Sequence, residues 1–238
     1  YFKAIKEAGF DHVRLPFEFS LNTAGIYPCD EYYARIKATT QMALDAGLCA
    51  MVDVHPFHKM QDDPHAIKPH FYKMWGELAD ALKDMDDRVI FEIYNEPDGN
   101  TFENLCHLVL PEDDENIFVT IHEYTPMSFT HQGADWMKGD WPTGIHWGTQ
   151  ADKDLLKERF NMAAAWGKEH NRRLHLGEFG AIKKGNHEDR VAWTHHLIKL
   201  SEERNIAWCY WELGFVYAAY DLEKDEWDKE LLNIFQNP

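Results

Sequence analysis

Two glutamates each follow a short apolar run in the same way. Glu96 lies in Ile-Tyr-Asn-Glu-Pro, and Glu178 lies in Leu-Gly-Glu-Phe-Gly, where Gly177 and Gly180 would let the backbone approach a ligand closely. Two carboxyl groups in unlike surroundings can differ in protonation, so that one donates a proton while the other stays ionised. Hydrolysis of an acetal needs such a pair, because an acid protonates the leaving oxygen while a carboxylate attacks carbon or activates water. The alternative for both residues is a solvated carboxylate at a strand end.

Strand-like and helix-like segments alternate along the chain. Strands are predicted over residues 12–17, 49–55, 89–94, 118–123, 174–178 and 207–212. Helices are predicted over residues 32–46, 68–83, 155–170, 190–204 and 227–235. Residues suited to helix C-caps precede several strands, at Gly9, Gly47, Asn171 and Asn205. This alternation predicts βαβ units with a parallel sheet, hence an α/β fold, in one domain over residues 1–238.

The predicted strands share a second property, because each begins apolar and ends in polar or ionisable side chains. In parallel α/β folds, ligand sites gather at the carboxyl ends of the strands. Six consecutive strands of this kind would place their terminal side chains around one mouth. Besides the two glutamates, the polar, ionisable or aromatic residues so placed are Arg14, Glu18, Asp53, His55, Asn95, His122, Glu123, Tyr124, Trp211 and Glu212.

The charge balance excludes one class of partner. The 238 residues include 24 Lys and Arg against 41 Asp and Glu, a formal net charge of −17, which lacks the basic character of a nucleic-acid-binding protein. The same charge disfavours an anionic membrane surface, and no apolar run reaches the roughly 18 residues of a membrane span. We therefore expect neither nucleic acid nor a membrane as a partner. We also expect the protein to be a monomer. The cysteines form no CxxC pair and their pairing stays open, for Cys29, Cys49, Cys106 and Cys209.

Four motifs carry a family resemblance. They are Asn-Glu-Pro at 95–97, Gly-Glu-Phe-Gly at 177–180, His-x-Tyr at 122–124 and Val-Arg-Leu-Pro-Phe at 13–17. They resemble glycoside hydrolase family five, and within it the cellulase-type endo-β-1,4-glucanases, some of which also cut mannan. The stretch Phe-Thr-His-Gln-Gly-Ala-Asp-Trp at 129–136 is especially similar to bacterial endoglucanases. The resemblance implies a (β/α)8 TIM barrel and a retaining, double-displacement mechanism that requires no metal or organic cofactor.

The resemblance implies a role in the reaction for five residues. Glu96 would be the acid/base and Glu178 the nucleophile. Arg14 would hold the nucleophile ionised and oriented through a charge-assisted bond. Tyr124 would contact Glu178, and His122 would position the acid/base.

Five further residues would bind substrate. His55 and Asn95 would bond sugar hydroxyls, with Asn95 placed for the 2-hydroxyl contact that strengthens in the transition state. Trp211 would form the platform under the sugar in subsite −1, and His131 would line the cleft. Trp136 would offer a flat apolar face to a pyranose ring, and the loop around it suits an open cleft for a polymer because it also holds Trp141 and Trp147. The tryptophans inside helix-like segments are instead expected in the core, namely Trp75, Trp166 and Trp193.

The implied activity is endo-acting cleavage of β-1,4-glucosidic bonds in cellulose or mixed-linkage β-glucan. The partner would be a β-1,4-linked polysaccharide or oligosaccharide. Since a polymer cannot enter a cell, we expect an extracellular, secreted protein, although the chain itself shows no signal peptide.

Three alternatives stay open beside that activity. The same site could serve a β-mannanase or a xyloglucanase. Pro56 stands where many relatives carry a second histidine, and this departure changes the wall of subsite −1 and counts against mannan activity. A barrel of this kind could also bind carbohydrate without cleaving it. The third alternative is a metal-dependent barrel hydrolase, for which the chain offers Asp53, His55 and His58 at suitable spacing and, further along, His65 and His70.

The number of units is smaller than the resemblance requires. Six strands are predicted, whereas eight units of roughly 40 residues would need about 300 residues. The resemblance places the first strand before Tyr1, in a chain that opens with helical spacing, and the fifth between Glu96 and His122. We therefore expect a barrel that lacks or does not cover the first and fifth β/α units, incomplete at the N-terminus and around 101–115.

Overall fold

Strands and helices alternate through the two units, Tyr1–Gly99 and Asn100–Pro238, of a computed structural model. The structure describes residues 1–19, 30–57, 63–97 and 105–238. Within those ranges, no helix is both long enough and apolar enough to cross a lipid bilayer. The single domain over residues 1–238 stays a prediction.

The first unit is a three-stranded parallel sheet flanked by helices. Its elements are α1 Phe2–Glu7, β1 His12–Phe19, α2 Asp30–Asp45, β2 Cys49–Phe57, α3 Pro64–Leu82 and β3 Val89–Glu92. The strand order is β1-β2-β3, with His12 opposite Cys49 and Ala50 opposite Val89. One core lies here, because Val52 and Val54 of β2 pack in the same cluster as apolar side chains of α2 and α3.

The second unit contains a second three-stranded parallel sheet and a short hairpin. A 3-10 turn at Leu105–His107 precedes β4 Phe118–Glu123, α4 Met127–Thr130, α5 Gln150–Glu169, β5 Arg173–Phe179, α6 His187–Glu202, β6 Ala207–Trp208, β7 Tyr220–Asp221, β8 Glu226–Trp227 and α7 Lys229–Gln236. The strand order is β4-β5-β6, and β7 pairs antiparallel with β8. Side-chain caps begin the long helices, with a capping box of Thr149 and Asp152 at α5 and Asn186 at α6.

All six predicted strands are present, but several predicted boundaries are wrong. The helices predicted from 68, 155 and 190 begin at Pro64, Gln150 and His187, and the strand predicted over 89–94 ends at Glu92. The strand predicted over 207–212 is regular only at Ala207–Trp208. The chain nevertheless follows β5 further, since the N–H groups of Cys209 and Trp211 donate to Leu176 and Phe179 at 2.8 and 2.9 Å. The helix predicted from 227 begins at Lys229, because Trp227 pairs in β8 and Asp228 caps the helix.

The predicted C-caps are confirmed by the backbone. Gly47 has a φ of 84°, and Asn171 and Asn205 have φ values of 50° and 54°. These left-handed conformations favour Gly and, next, Asn. Each residue therefore ends a helix and turns the chain into the following strand.

The parallel strands in the described ranges form two separate three-stranded sheets, and barrel closure is not detected there. The expected gap around 101–115 falls partly on residues 98–104, which lie outside the described residues. From 105 to 117 the structure shows a 3-10 turn and no strand. The lack of the first and fifth units stays a prediction.

Candidate active site

Arg14 is the centre of a buried ion-pair network in the first unit. From β1, its Nε donates to Glu92 Oε2 at 2.6 Å and its Nη2 to Glu92 Oε1 at 3.0 Å. Nη2 also lies 2.9 Å from Oδ2 of Asp53, whose side chain is fully buried. Asp53 on β2 is directly opposite Glu92 on β3, so sheet register brings both carboxylates to the arginine. A buried charge is tolerated when it is paired and hydrogen-bonded, and these three residues satisfy that condition together.

Asn95 and His55 are oriented by this network. Arg14 Nη2 donates to Asn95 Oδ1 at 2.8 Å, and because arginine only donates, this contact determines which end of the amide faces it. His55 Nδ1 lies 3.1 Å from Asp53 Oδ2. A carboxylate only accepts, so Nδ1 carries the hydrogen and the Nε2 atom of a neutral ring is the acceptor. Sequence reasoning identified Arg14, His55 and Asn95 but missed Glu92, which it counted as part of an apolar strand.

Glu96 follows β3 in an unusual backbone conformation. Its φ is 43°, in the left-handed region, and Pro97 comes directly after it. A non-glycine residue there costs roughly 1–3 kcal/mol, and such residues cluster at functional sites. The outlier supports a functional interpretation of Glu96 over that of an ordinary surface carboxylate.

Glu178 is a buried carboxylate on β5 of the second unit. Only 4% of the residue is exposed, and Tyr124 Oη donates to its Oε2 at 2.8 Å. His122 Nδ1 lies 3.7 Å from the same oxygen. Glu123, between those two residues on the chain, points elsewhere and accepts from Arg159 Nε at 2.7 Å. The alternation of side chains along β4 thus sends His122 and Tyr124 to Glu178, and Glu123 to α5.

The glycines on either side of Glu178 are required by neighbouring protein atoms. A Cβ at Gly177 would lie 2.3 Å from Thr120 Cγ2 and 3.2 Å from His122 Nε2. A Cβ at Gly180 would lie 2.0 Å from the carbonyl oxygen of Trp211. The two glycines therefore let β5 approach its neighbours closely, which is a different reason from the ligand approach expected from sequence.

An aromatic cluster lies beside Tyr124. The ring of His131 is 5.1 Å from that of Tyr124 and 6.4 Å from that of Trp136, measured between centroids. Tyr217 contacts all three rings, at 6.0 Å from Tyr124, 5.7 Å from His131 and 6.3 Å from Trp136. Trp136 is 49% exposed, which leaves an indole surface accessible. Trp211 packs against the same cluster as Tyr217.

In the loop after β6, Tyr217 was not identified from the sequence, whereas Glu212 was placed at a strand end without a role. Tyr217 lies in an irregular segment with no periodic signal, and it contacts the cluster only through the folded loop. Burial raises the pKa of the Glu212 carboxyl, N–H groups of Tyr217 and Val216 oppose that rise, and the charge of Glu178 adds to it. Glu212 thus supplies a second carboxyl group of this unit that is close enough to interact with Glu178.

One of the tryptophans expected in the cleft loop lies elsewhere. Trp147 is 6% exposed and its ring is 5.5 Å from that of His196, so it belongs to the core. Trp193, interpreted from sequence as core, is fully buried as expected.

The metal-centre alternative draws on Asp53, His55 and His58, of which His58 lies outside the described residues. Oδ2 of Asp53 is 2.9 Å from Arg14 and 3.1 Å from His55. A guanidinium cation at that distance opposes a metal cation on the same oxygen. The described contacts therefore favour an internal ion-pair network.

Comparison with known families decides which chemistry this arrangement belongs to. The model of the family described as Cellulase (glycosyl hydrolase family 5) matches residues 1–107 and 101–215. The chain belongs to glycosyl hydrolase family 5.

Solved structures of family 5 share the fold of this chain. Thermotoga maritima Cel5A, solved in complex with cellobiose, is 32% identical with a TM-score of 0.92, over 98% of this chain and 88% of that one. The same protein in complex with mannotriose is 32% identical with a TM-score of 0.89, again over 98% and 88%. The α/β fold of this family 5 chain therefore matches TIM-barrel structures.

Curated relatives of the family 5 chain are longer. Endoglucanase H from Acetivibrio thermocellus is 25% identical over 281 residues, covering 100% of this chain and 30% of the relative. The cellulase/esterase CelE from the same organism is 26% identical over 275 residues, covering 92% of this chain and 33% of the relative. The chain thus spans about a third of the length of these two relatives.

The predicted site residues of this family 5 chain fall into two groups. In the first unit, Arg14 contacts Asn95 directly and is linked to His55 through Asp53. Glu96 is the next residue along that chain segment. In the second unit the structure brings together the remaining predicted residues, namely His122, Tyr124, His131, Trp136, Glu178 and Trp211.

Proposed function

We propose that this chain is an endo-acting, retaining glycoside hydrolase that cleaves β-1,4-glucosidic bonds in cellulose or mixed-linkage β-glucan. The observation that carries the proposal is the environment of Glu178 in a family 5 chain. Its carboxyl group is buried, and Tyr124 donates to one oxygen at 2.8 Å. Such a bond orients the carboxyl group, as a nucleophile requires.

In the first step, Glu178 attacks the anomeric carbon while Glu96 gives its proton to the departing glycosidic oxygen. The bond from carbon to that oxygen breaks, and a glycosyl ester of Glu178 forms. In the second step, Glu96 takes a proton from water, whose oxygen attacks the same carbon and releases Glu178. Two inversions at one carbon give net retention. The pairing of the glutamates is supported by family membership and by their local settings, a strained backbone at Glu96 and a held carboxylate at Glu178.

Substrate contacts follow from the two described groups. Asn95 has its Oδ1 held by Arg14, which leaves the NH₂ end of the amide to donate to a sugar 2-hydroxyl. His55, held at Nδ1, would bond a hydroxyl with Nε2. We assign Trp211 to the platform of subsite −1 and the exposed face of Trp136 to a further sugar, with His131 behind it. We assign Arg14 to orienting Glu178, and His122 to positioning Glu96.

Names and bound sugars of relatives support glucan as substrate and leave mannan as a second candidate. The name of endoglucanase H indicates glucan cleavage by that relative. Thermotoga maritima Cel5A was solved once in complex with cellobiose and once in complex with mannotriose. The side chain of Pro56, which bears on mannan, lies outside the described part of the chain. A polymeric substrate would place the protein outside the cell. Product analysis on cellohexaose and mannohexaose decides between the two sugars.

The mechanism is tested by azide rescue of two variants, Glu178→Gly and Glu96→Ala, on an aryl β-cellobioside with a good leaving group. In Glu178→Gly, azide replaces the nucleophile and attacks from the opposite face, so the product should be the α-glycosyl azide. In Glu96→Ala, the ester on Glu178 still forms, and azide should release the β-glycosyl azide. Glu169→Gln, at an exposed position, is the matched control and should keep wild-type turnover. Unchanged hydrolysis by Glu178→Gly, or the reverse pair of azide configurations, would exclude these assignments.

A further inference from the structure

Arg190 on α6 is a buried cation to which the proposed reaction gives no role. Only 3% of it is exposed. Its Nε donates to the carbonyl of Ala181 at 2.9 Å, and its Nη2 donates to the carbonyl of Tyr217 at 2.6 Å. The carbonyl of Ala218 accepts from Nη2 as well, and Asp228 lies 3.6 Å from Nη1. A buried guanidinium requires such acceptors, so Arg190 joins the segment after Glu178 to the loop that carries Tyr217.

The ring of Tyr217 is held by its backbone and by its packing. Its hydroxyl is buried and finds no hydrogen-bond partner among the residues that the structure describes. Burial raises the pKa of this phenol, so the hydroxyl stays protonated at neutral pH. The Tyr217 carbonyl, in contrast, accepts from both Arg190 and the hydroxyl of Tyr210, the latter at 2.9 Å. The position of the ring therefore depends on the two donors to its carbonyl as well as on the rings packed against it.

Tyr217 in turn contacts the residue that holds the proposed nucleophile. Its ring centroid lies 6.0 Å from that of Tyr124, with 52° between the planes. Tyr124 has only two side-chain torsions, so a neighbouring ring restricts where its hydroxyl can lie. That hydroxyl is the donor to Glu178. A continuous series of contacts therefore runs from Arg190 through Tyr217 and Tyr124 to Glu178.

We propose that Arg190 is a positioning residue, which acts through Tyr217 to keep the Tyr124 hydroxyl on Glu178. This inference rests on the proposed function, because it assigns to Arg190 an effect on nucleophilic attack. Its effect should appear in the chemical step, since the residue has no contact with substrate in this scheme. Loss of an interaction made in the transition state lowers kcat and kcat/KM together and leaves KM nearly unchanged.

The test compares kcat and KM of Arg190→Met and Tyr217→Leu with wild type on the same cellobioside, at a temperature where circular dichroism shows each variant folded. We expect kcat to fall about tenfold in both, with KM within twofold of wild type. The double variant should lose little more than either single variant, because both interrupt one series of contacts. Arg190→Lys, which keeps a donor and a positive charge, should recover part of the loss. Tyr217→Phe, which keeps the ring, should lose much less kcat than Tyr217→Leu and be at least as stable as wild type.

Arg204→Met is the matched control for simple destabilisation. Arg204 follows the same helix, α6, and donates to the carbonyl of Leu200 and to Asn161 Oδ1, without a described contact to Tyr217. It should lose stability and keep kcat.

The outcomes separate the inference from the proposed function. Wild-type kcat in folded Arg190→Met, an effect confined to KM, or fully additive losses in the double variant would overturn the positioning role. If Arg190→Met does not fold, Tyr217→Leu decides, and wild-type kcat in that variant also overturns it. A wild-type protein that hydrolyses no β-1,4-glycoside would overturn the proposed function itself, and the positioning role with it.

Discussion

Replacement of Gly180 by alanine is the most direct test of how β5 presents Glu178. The new Cβ would lie 2.0 Å from the carbonyl oxygen of Trp211, whereas ordinary contact begins near 3.4 Å. It would also lie 3.3 Å from Cδ1 of Tyr217. The φ of Gly180 is outside the left-handed region, so the effect is steric and does not include backbone strain at that residue. The clash is with main chain, and no side-chain rotation can relieve it.

The expected cost follows from what must move. Overpacking a close contact costs about 1–3 kcal/mol, and the upper end applies here because more than 1 Å must be recovered from backbone atoms. The same movement separates the Trp211 N–H from the Phe179 carbonyl, now 2.9 Å apart, and loses a hydrogen bond of about 1 kcal/mol. We therefore expect Gly180→Ala to lower the free energy of unfolding by about 3–4 kcal/mol. Turnover should fall as well, because Trp211 and Glu178 are displaced relative to each other.

Urea denaturation measures the free energy of unfolding of Gly180→Ala and of the control Gly76→Ala, for which we expect changes of opposite sign. Gly76 is exposed within α3, and a Cβ there would meet nothing within 4 Å. Alanine is the better helix former by about 1 kcal/mol, so Gly76→Ala should stabilise the protein without changing turnover. A loss of less than about 1 kcal/mol in Gly180→Ala would refute the close approach of β5 to Trp211.

Two further predictions concern ion pairs. Glu92→Gln removes a charge partner from buried Arg14, so it should lower the free energy of unfolding, measured by urea denaturation, by about 3 kcal/mol. A loss under about 1 kcal/mol, as expected for a surface ion pair, would contradict the buried network. Burial raises the pKa of Asp228. The hydrogen bonds from His187 and from the Leu231 N–H lower this pKa by more than burial raises it, so the net pKa lies below the usual value. A depressed folded-state pKa stabilises the protein above the unfolded pKa near 3.8, and that stability is lost as pH falls through the folded value. Asp228→Asn should therefore be less stable than wild type at pH 7, by roughly 1 kcal/mol, and the difference should close as the pH falls below the folded-state pKa of Asp228. Thermal unfolding of both proteins over a series of acidic pH values measures this difference, and a difference that persists in acid would contradict the assignment.

Much of the local structure could be predicted because its determinants lie close together along the chain. Apolar spacing indicated all six parallel strands, and the left-handed caps at Gly47, Asn171 and Asn205 ended the helices where expected. The rule that parallel sheets gather ligand-binding side chains at strand ends selected Glu96 and Glu178 from 41 acidic residues. Family motifs, which are short and ordered along the chain, then assigned chemistry to these positions.

Only the folded chain decided which side chains meet. Arg14 and Glu92 are 78 residues apart, and their pairing comes from the register of β1, β2 and β3, which no local pattern records. Tyr217 lies in an irregular loop, yet it contacts the cluster around Tyr124 because Arg190 holds the loop. Capping and strand periodicity act between near neighbours, whereas burial of a charge or a ring requires partners from distant segments. The sequence therefore revealed which residues were candidates for chemistry, and tertiary contacts determined how each one is held.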